Sequence, residues 1–519
     1  MFASLAGVGD ASAGAAVQPH QHIAPSVTWP SPDWEISAQG AITQSSPTVA
    51  TVDGKTIVAI GDESGYVYVL DAATGKELPG WPEHVAAAPG QSAPIESSPT
   101  IAWLDGPTKP PSIVVGTGST WVRDDVGEVE AFRLDGAKRF VFRVQAAPGT
   151  NVGVLSSPAV GSLTGHGPVD IVFGSWDHNI WALTPSGRVL PGFPYNNADT
   201  IWSSPALYRL PGETGDAIFL GSDASGVTYR VAGAVQHCVG GFVGEYRYIA
   251  NQIVPIWRDC EPQSVWSSPA VGILDNPHRP VVVIGTSFYE QPFPAETNHL
   301  LAFDALTGKP LPGWPVATAG PVLGSPAIGD VAPGVRAVVD TSWVCDGSSR
   351  TDCFAHGSRV YAWTGQGAQL WSDALPGPTD WASPVLVPLE NHASNDVLVG
   401  TPNALYPLDG ATGAFLYGTN GVNQFAAINP GCRVFNSAAV ADIPGTGPNT
   451  GWRVIEACGG PPVFQAHGSI VSYRLPVTPS ITPAWPMFRN DAQHNGGVIP
   501  PALALEPPAV LTSTSSSSS

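Results

Sequence analysis

The chain has 519 residues, with 42 acids against 22 Lys and Arg for a formal net charge of −20, and only 12% charged residues beside 43% hydrophobic ones. That balance excludes long helices and coiled coils, which need Glu, Lys and Arg in abundance, and a surface made for nucleic acid or anionic membrane. Its 17 Trp, 12 Tyr and 17 Phe exclude disorder along the whole chain, and 58 Gly with 53 Pro point to a large, turn-rich β protein.

Residues 1–28 read as a flexible leader or the remnant of an export signal, because they are small and Ala/Gly-rich but lack a basic start and a full apolar core. The closest histidine pair, His20 and His22, lies in this leader. No run of ~18 apolar residues occurs, so no membrane-spanning helix is expected. Trp34-Glu35-Ile36-Ser37 has the pattern of an outer strand ahead of the first repeat and can pair into the last one.

A repeat then governs residues 29–499. Ser-Pro steps recur at Ser46, Ser98, Ser157, Ser204, Ser268, Ser325 and Ser383, with a degenerate copy at Ser437-Ala438; the spacings are 52, 59, 47, 64, 57, 58 and 54. Each copy continues with a short apolar run, a Gly/Pro/Asp turn and a β-branched run ending in Gly, such as Ile113-Val114-Val115-Gly116. A loop and an alternating run follow, such as Tyr66-Val67-Tyr68-Val69-Leu70, and then an Asp/Gly turn. Four short strands every ~50 residues make one antiparallel blade, and radial stacking buries the faces a lone blade would expose. Eight copies predict an all-β, eight-bladed propeller, with seven blades the alternative if the degenerate copy fails. The Ser-Pro step suits the start of an innermost strand, where Pro costs no interior ladder bond. Closure is expected from Trp34–Ser37, with residues 484–491 either supplying the last blade's own outer strand or packing beneath it.

The six cysteines fall as Cys238 with Cys260, Cys345 with Cys353 and Cys432 with Cys458, each couple within one repeat and none in a zinc-like spacing. Three local disulfides and a secreted or cell-surface protein are expected. Residues 500–519 read as a Pro/Ser-rich flexible tail.

The pattern resembles the bacterial pyrroloquinoline-quinone-like and FG-GAP (VCBS) β-propeller repeats. The resemblance rests on Leu70-Asp71-Ala72-Ala73-Thr74-Gly75-Lys76 with Gly80-Trp81-Pro82, on Phe303-Asp304-Ala305-Leu306-Thr307-Gly308-Lys309 with Gly313-Trp314-Pro315, and on the run from Trp485 to Gly496. The Asp-Ala-x-Thr-Gly-Lys turns are similar to the docking motif of quinoprotein dehydrogenases; as plain turns, their Asp bonds local backbone and their Gly supplies positive φ. The vicinal cysteines that the resemblance implies for a quinone enzyme are missing, so no cofactor is expected. Nor does any turn offer the three alternating carboxylates of an FG-GAP calcium loop. His-Glu-x-x-His, Gly-x-Ser-x-Gly and phosphate-loop patterns are absent.

One constellation remains. Trp202, Trp266 and Trp381 stand just ahead of Ser-Pro steps, where the loops line one mouth of the channel. The loops between second and third strands open on the same face and carry Trp121 with Asp124, Trp176-Asp177-His178, Tyr289-Glu290 and Trp343. Rings stack on apolar sugar faces while acids accept hydroxyl hydrogen bonds, so the expected partner is a carbohydrate or protein ligand at the channel mouth. Asp177 and His178 also suit ordinary loop hydrogen bonding, and the Trp rings also suit a channel plug. The expectation is a monomeric, non-catalytic ligand-binding scaffold without nucleic acid or membrane partners. The alternatives are a carbohydrate lyase or hydrolase using upper-face acids and, more distantly, a quinoprotein oxidoreductase.

Overall fold

The computed structural model describes residues 31–497 except 86–92, 121–126, 146–150, 224–226, 232–233, 276–278, 289–297, 346–352, 354–355, 391–392, 403, 417–427, 429, 445–449, 461–465 and 476–480. The chain forms an eight-bladed β-propeller of antiparallel blades. Blade 1 runs outward through Thr48–Val52, Lys55–Gly61, Tyr66–Asp71 and Glu83–His84. The innermost strands of blades 2 to 8 are Thr100–Ala102, Ala159–Gly161, Ala206–Tyr208, Ala270–Ile273, Ala327–Ala332, Val385–Val387 and Ala439–Ile443. Every one starts one or two residues after its Ser-Pro or Ser-Ala step. The degenerate copy therefore opens a full blade, and the seven-bladed alternative falls. Blade 7 has three strands among the described residues; single bridges from Leu405 to Ile428 and Leu408 to Phe415 mark its outer position. Blade 4 carries an extra hairpin, Val227–Val231 with Ala234–Cys238.

The ring closes in two ways. Trp34–Ser37 pairs antiparallel with Ser469–Arg474, Trp34 opposite Ser472, and so becomes the outer strand of blade 8. At the axis, the backbone N–H after each step residue's predecessor is held by the next blade: the N–H of Ser46 donates to Ser98 Oγ, Ser98 to Ser157, Ser157 to Ser204, and onward through Ser268, Ser325, Ser383 and Ser437 back to Ser46, at 2.8–3.1 Å. These eight hydrogen bonds form one closed circle, and they explain why a serine recurs where a small residue alone would fit. The serine before it works within its own blade: Ser45, Ser97, Ser156 and Ser203 accept the N–H of Gly61, Gly116, Gly174 and Gly221. Those positions are glycine because a β-branched side chain of the next blade fills the Cβ space, Ile95 at 2.3 Å from Gly61 and Ile201 at 2.2 Å from Gly174.

Between blades the core is aliphatic, and tryptophans lock several seams. Trp34, Trp257 and Trp371, on outer strands, donate Nε1–H to the carbonyls of Ala72, Ala305 and Gly410 in the next blade. Their rings lie over Gly75, Gly308 and Gly413, where a Cβ would come within 2.5–2.6 Å. The Asp-x-x-Thr-Gly turns are thus tryptophan receptors between blades. Asp71 holds its turn by accepting from the N–H groups of Ala73 and Thr74. Trp81 and Trp314 are buried and donate to the carbonyls of Leu134 and Gly365.

Residues 485–497 neither extend blade 8 nor lie under it; they enter the channel from the lower end. Innermost strands present unpaired backbone donors to the axis, and an unpaired edge must be covered. The N–H groups of Ile101, Val160, Leu207, Val271, Leu386 and Val440 donate to the carbonyls of Ala492, Gln493, Asn495, Gly496, Trp485 and Pro486. Arg489 is buried and donates to the carbonyls of Pro205 and Pro269. Burial pushes its guanidinium down to about 9. His494 lies between Thr48 and Thr100. Since Thr100 Oγ1 donates to the Pro158 carbonyl, it accepts from Nδ1–H, and Nε2 accepts from Thr48. Burial, with the Arg489 charge, holds this imidazole neutral down to about 3.

The cysteines pair as expected, Cys238–Cys260, Cys345–Cys353 and Cys432–Cys458. No helix among the described residues is long and apolar enough to cross a membrane.

Candidate functional site

The residue two before the step serine lines the upper mouth of the channel in seven blades: Gln44, Glu96, Leu155, Trp202, Trp266, Leu323 and Trp381. The eighth, Phe435, is buried, so the mouth is polar at blades 1 and 2 and apolar or aromatic at blades 3 to 7. Blades 4, 5 and 7 bring their indoles together. Trp202 stacks on Trp266 with centroids 4.8 Å apart and on Trp381 at 5.9 Å with planes only 5° apart; Trp266 and Trp381 lie at 6.2 Å. All three rings are half-buried. Below them a cavity of about 40 Å³ is lined by the serine circle and floored by Phe488 of the C-terminal segment. That is room for a few waters at most, so a sugar ring would lie on the open side of the indoles.

The loop residues fare differently. Trp176 packs on Trp202 at 4.5 Å but is itself buried. Asp177 is consumed by its own loop, accepting from the N–H of Asn179 and from the Trp181 indole. His178, held at φ 70°, keeps an accessible ring 4.0 Å from Asp199. Trp343 is buried behind the platform, edge-on to Phe288 at 5.2 Å. The Cys345–Cys353 disulfide packs in the same cluster as Trp266, Trp381 and Trp343. Trp121, Asp124, Tyr289 and Glu290 lie outside the described residues.

Sequence reasoning missed the acids that support this mouth. Asp223, at the end of Ala217–Asp223, accepts from Trp266 Nε1 at 2.8 Å and from Thr200 Oγ1 at 2.7 Å. Burial pushes its carboxyl up to about 7, with the Asp199 charge adding to the rise. Glu96 accepts from Ser119 and Thr120 and sits against Glu63, which Thr43 holds. Burial raises both, Glu96 the more strongly because the Glu63 charge adds to it, while the Asp62 charge adds to the rise of Glu63. The available signal was positional: Glu96 and Gln44 occupy the same repeat position as the three tryptophans.

The site fits poorly with a quinone. The disulfides join residues 8 to 26 apart, none vicinal, and the axial cavity is several times too small for a tricyclic ring system. Among the described residues, no three His, Cys, Asp or Glu gather as metal ligands.

No family model matches the chain, and no curated protein matches it. Solved structures do. The Vibrio cholerae biofilm matrix protein Bap1 is 13% identical with a TM-score of 0.53, covering 86% of this chain and 91% of its own. Quinohemoprotein alcohol dehydrogenase ADHIIG from Pseudomonas putida HK5 is 12% identical at 0.54, covering 86% and 76%. The Dos1 propeller is 10% identical at 0.51, covering 86% and 96%. At such identities the likeness is one of fold, and fold does not carry function.

Proposed function

We propose that the protein is a secreted or cell-surface, non-catalytic recognition propeller that binds a carbohydrate on the Trp202–Trp266–Trp381 platform. The observation that carries this reading is the convergence of three half-buried indoles from three different blades, backed by the carboxyl of Asp223 and flanked by Gln44 and Glu96. A sugar's apolar face would lie on the rings, and its hydroxyls would reach the half-buried Gln44 of blade 1, Glu96 being buried and held by Ser119 and Thr120. Three disulfides support an oxidising compartment. The biofilm matrix protein among its structural neighbours is compatible with such a role but does not argue for it at 13% identity. The test is a glycan array followed by calorimetry with the best hit, wild type against Trp381→Ala. Loss of about tenfold or more in affinity with an unchanged fold supports the platform; equal binding by the variant refutes it.

A carbohydrate-cleaving enzyme is the second reading, favoured by one feature. Burial pushes the Asp223 carboxyl up to about 7, and the Asp199 carboxylate stands close enough for its charge to add to that rise; acid–base cleavage works with such a pair of neighbouring carboxyls. Release of reducing ends by the wild type, abolished in Asp223→Asn, would favour it over the scaffold.

A further inference from the structure

On the face opposite the tryptophans, at the seam of blades 1 and 2, an open cleft of about 570 Å³ has no role in the reading above. Its size falls in the range of small-molecule sites. The floor is apolar: Leu78 and Pro79 come from the connection after the third strand of blade 1, Pro110 and Pro111 from the first turn of blade 2, and Leu134 from its last turn. Leu78 and Leu134 are half-buried against the core between the two blades, so the floor is fixed by packing.

The rim is cationic in a chain with 22 basic residues against 42 acids. Arg139 is a wall: its guanidinium grips Asp105 through both terminal nitrogens, at 2.5 and 2.6 Å, and its Nε donates to the Pro185 carbonyl. That pair is neutral within itself; the Arg139 hydrogen bond holds the Asp105 carboxyl below its usual range, and the charges of Arg133 and Lys109 add to the lowering from farther off. Lys109 and Arg133 are exposed and have no carboxylate partner within 4.0 Å among the described residues. The remaining acid, Asp135, turns its Oδ1 to the N–H of Ala137 in its own turn.

We infer that this cleft binds a small amphipathic carboxylate, its apolar body on Leu78, Pro110 and Leu134 and its carboxylate between Lys109 and Arg133. Apolar contact supplies the affinity and the two free cations choose an anionic head over a neutral one. Titration calorimetry on the full chain with decanoate tests it, with decan-1-ol as the uncharged control. Decanoate is expected to bind at least tenfold more tightly than decanol, and its advantage should shrink as salt is raised. Lys109→Ala/Arg133→Ala should erase that advantage while leaving decanol binding and the melting temperature unchanged; both side chains are exposed, so folding is not at stake. Trp381→Ala should leave decanoate binding intact, which separates this site from the mouth. No heat with decanoate, equal affinity for decanol, or an unaffected double variant would each overturn the inference.

Discussion

At the residue scale, Trp202 and Trp381 differ in what surrounds them. Trp202 touches Trp176, Trp266 and Trp381, so Trp202→Ala removes the centre of the stack. It should cost about 3 kcal/mol of stability in denaturant titrations, in the range of large core truncations. Ser437→Ala tests the axial circle. It leaves the N–H of Ser383 without its acceptor, a loss of about 1–2 kcal/mol if no water replaces it. A neutral result would mean that small size is all this position requires. The tryptophans, the serines and their spacing were legible from sequence because they recur. Asp223 and Glu96 were not, since each occurs in one blade only and burial is what gives them their chemistry.

Among the elements, the disulfide Cys345–Cys353 and the C-terminal segment act at a distance from what they contact. The disulfide packs against the indole cluster, so Cys345→Ser/Cys353→Ser should raise tryptophan emission, by removing a quencher, and weaken glycan binding severalfold. Unchanged emission would place the disulfide's influence elsewhere. Ending the chain before residue 484 strips six inner-strand N–H groups of their acceptors. A fall of at least ~10 °C in melting temperature is expected, with fast hydrogen exchange at Ile101, Val160 and Leu207. The closing strand Trp34–Ser37 was readable from its alternation. The threading of residues 485–497 was not, because its motif resembles one more blade ending and only the unpaired donors of the channel show where it belongs.

For the whole molecule, buried carboxyls set the pH response. Burial raises Asp170 to about 6, Asp223 and Glu245 to about 7 and Glu261 to about 8. An acid whose folded value lies above its unfolded value stabilises the fold below about pH 4 and loses that contribution as pH rises through the folded value. His494 works the other way. Its folded value of about 3 lies below the usual 6.5, so its contribution is complete above pH 6.5 and lost as pH falls toward 3. Carboxyls outnumber this imidazole, so melting temperature should rise by several degrees from pH 8 to pH 5. A flat or falling profile over that interval would contradict the burial. The C-terminal segment bears on a different property. Arrays of repeats tend to come apart piecemeal, each unit stable only through its neighbours. Here a single thread binds inner strands of blades 2, 3, 4, 5, 7 and 8, and its His494 reaches blade 1. None of these seven blades can peel away without releasing the thread, and releasing the thread frees the other six. Such a ring should persist intact against proteases for long periods and then be lost whole.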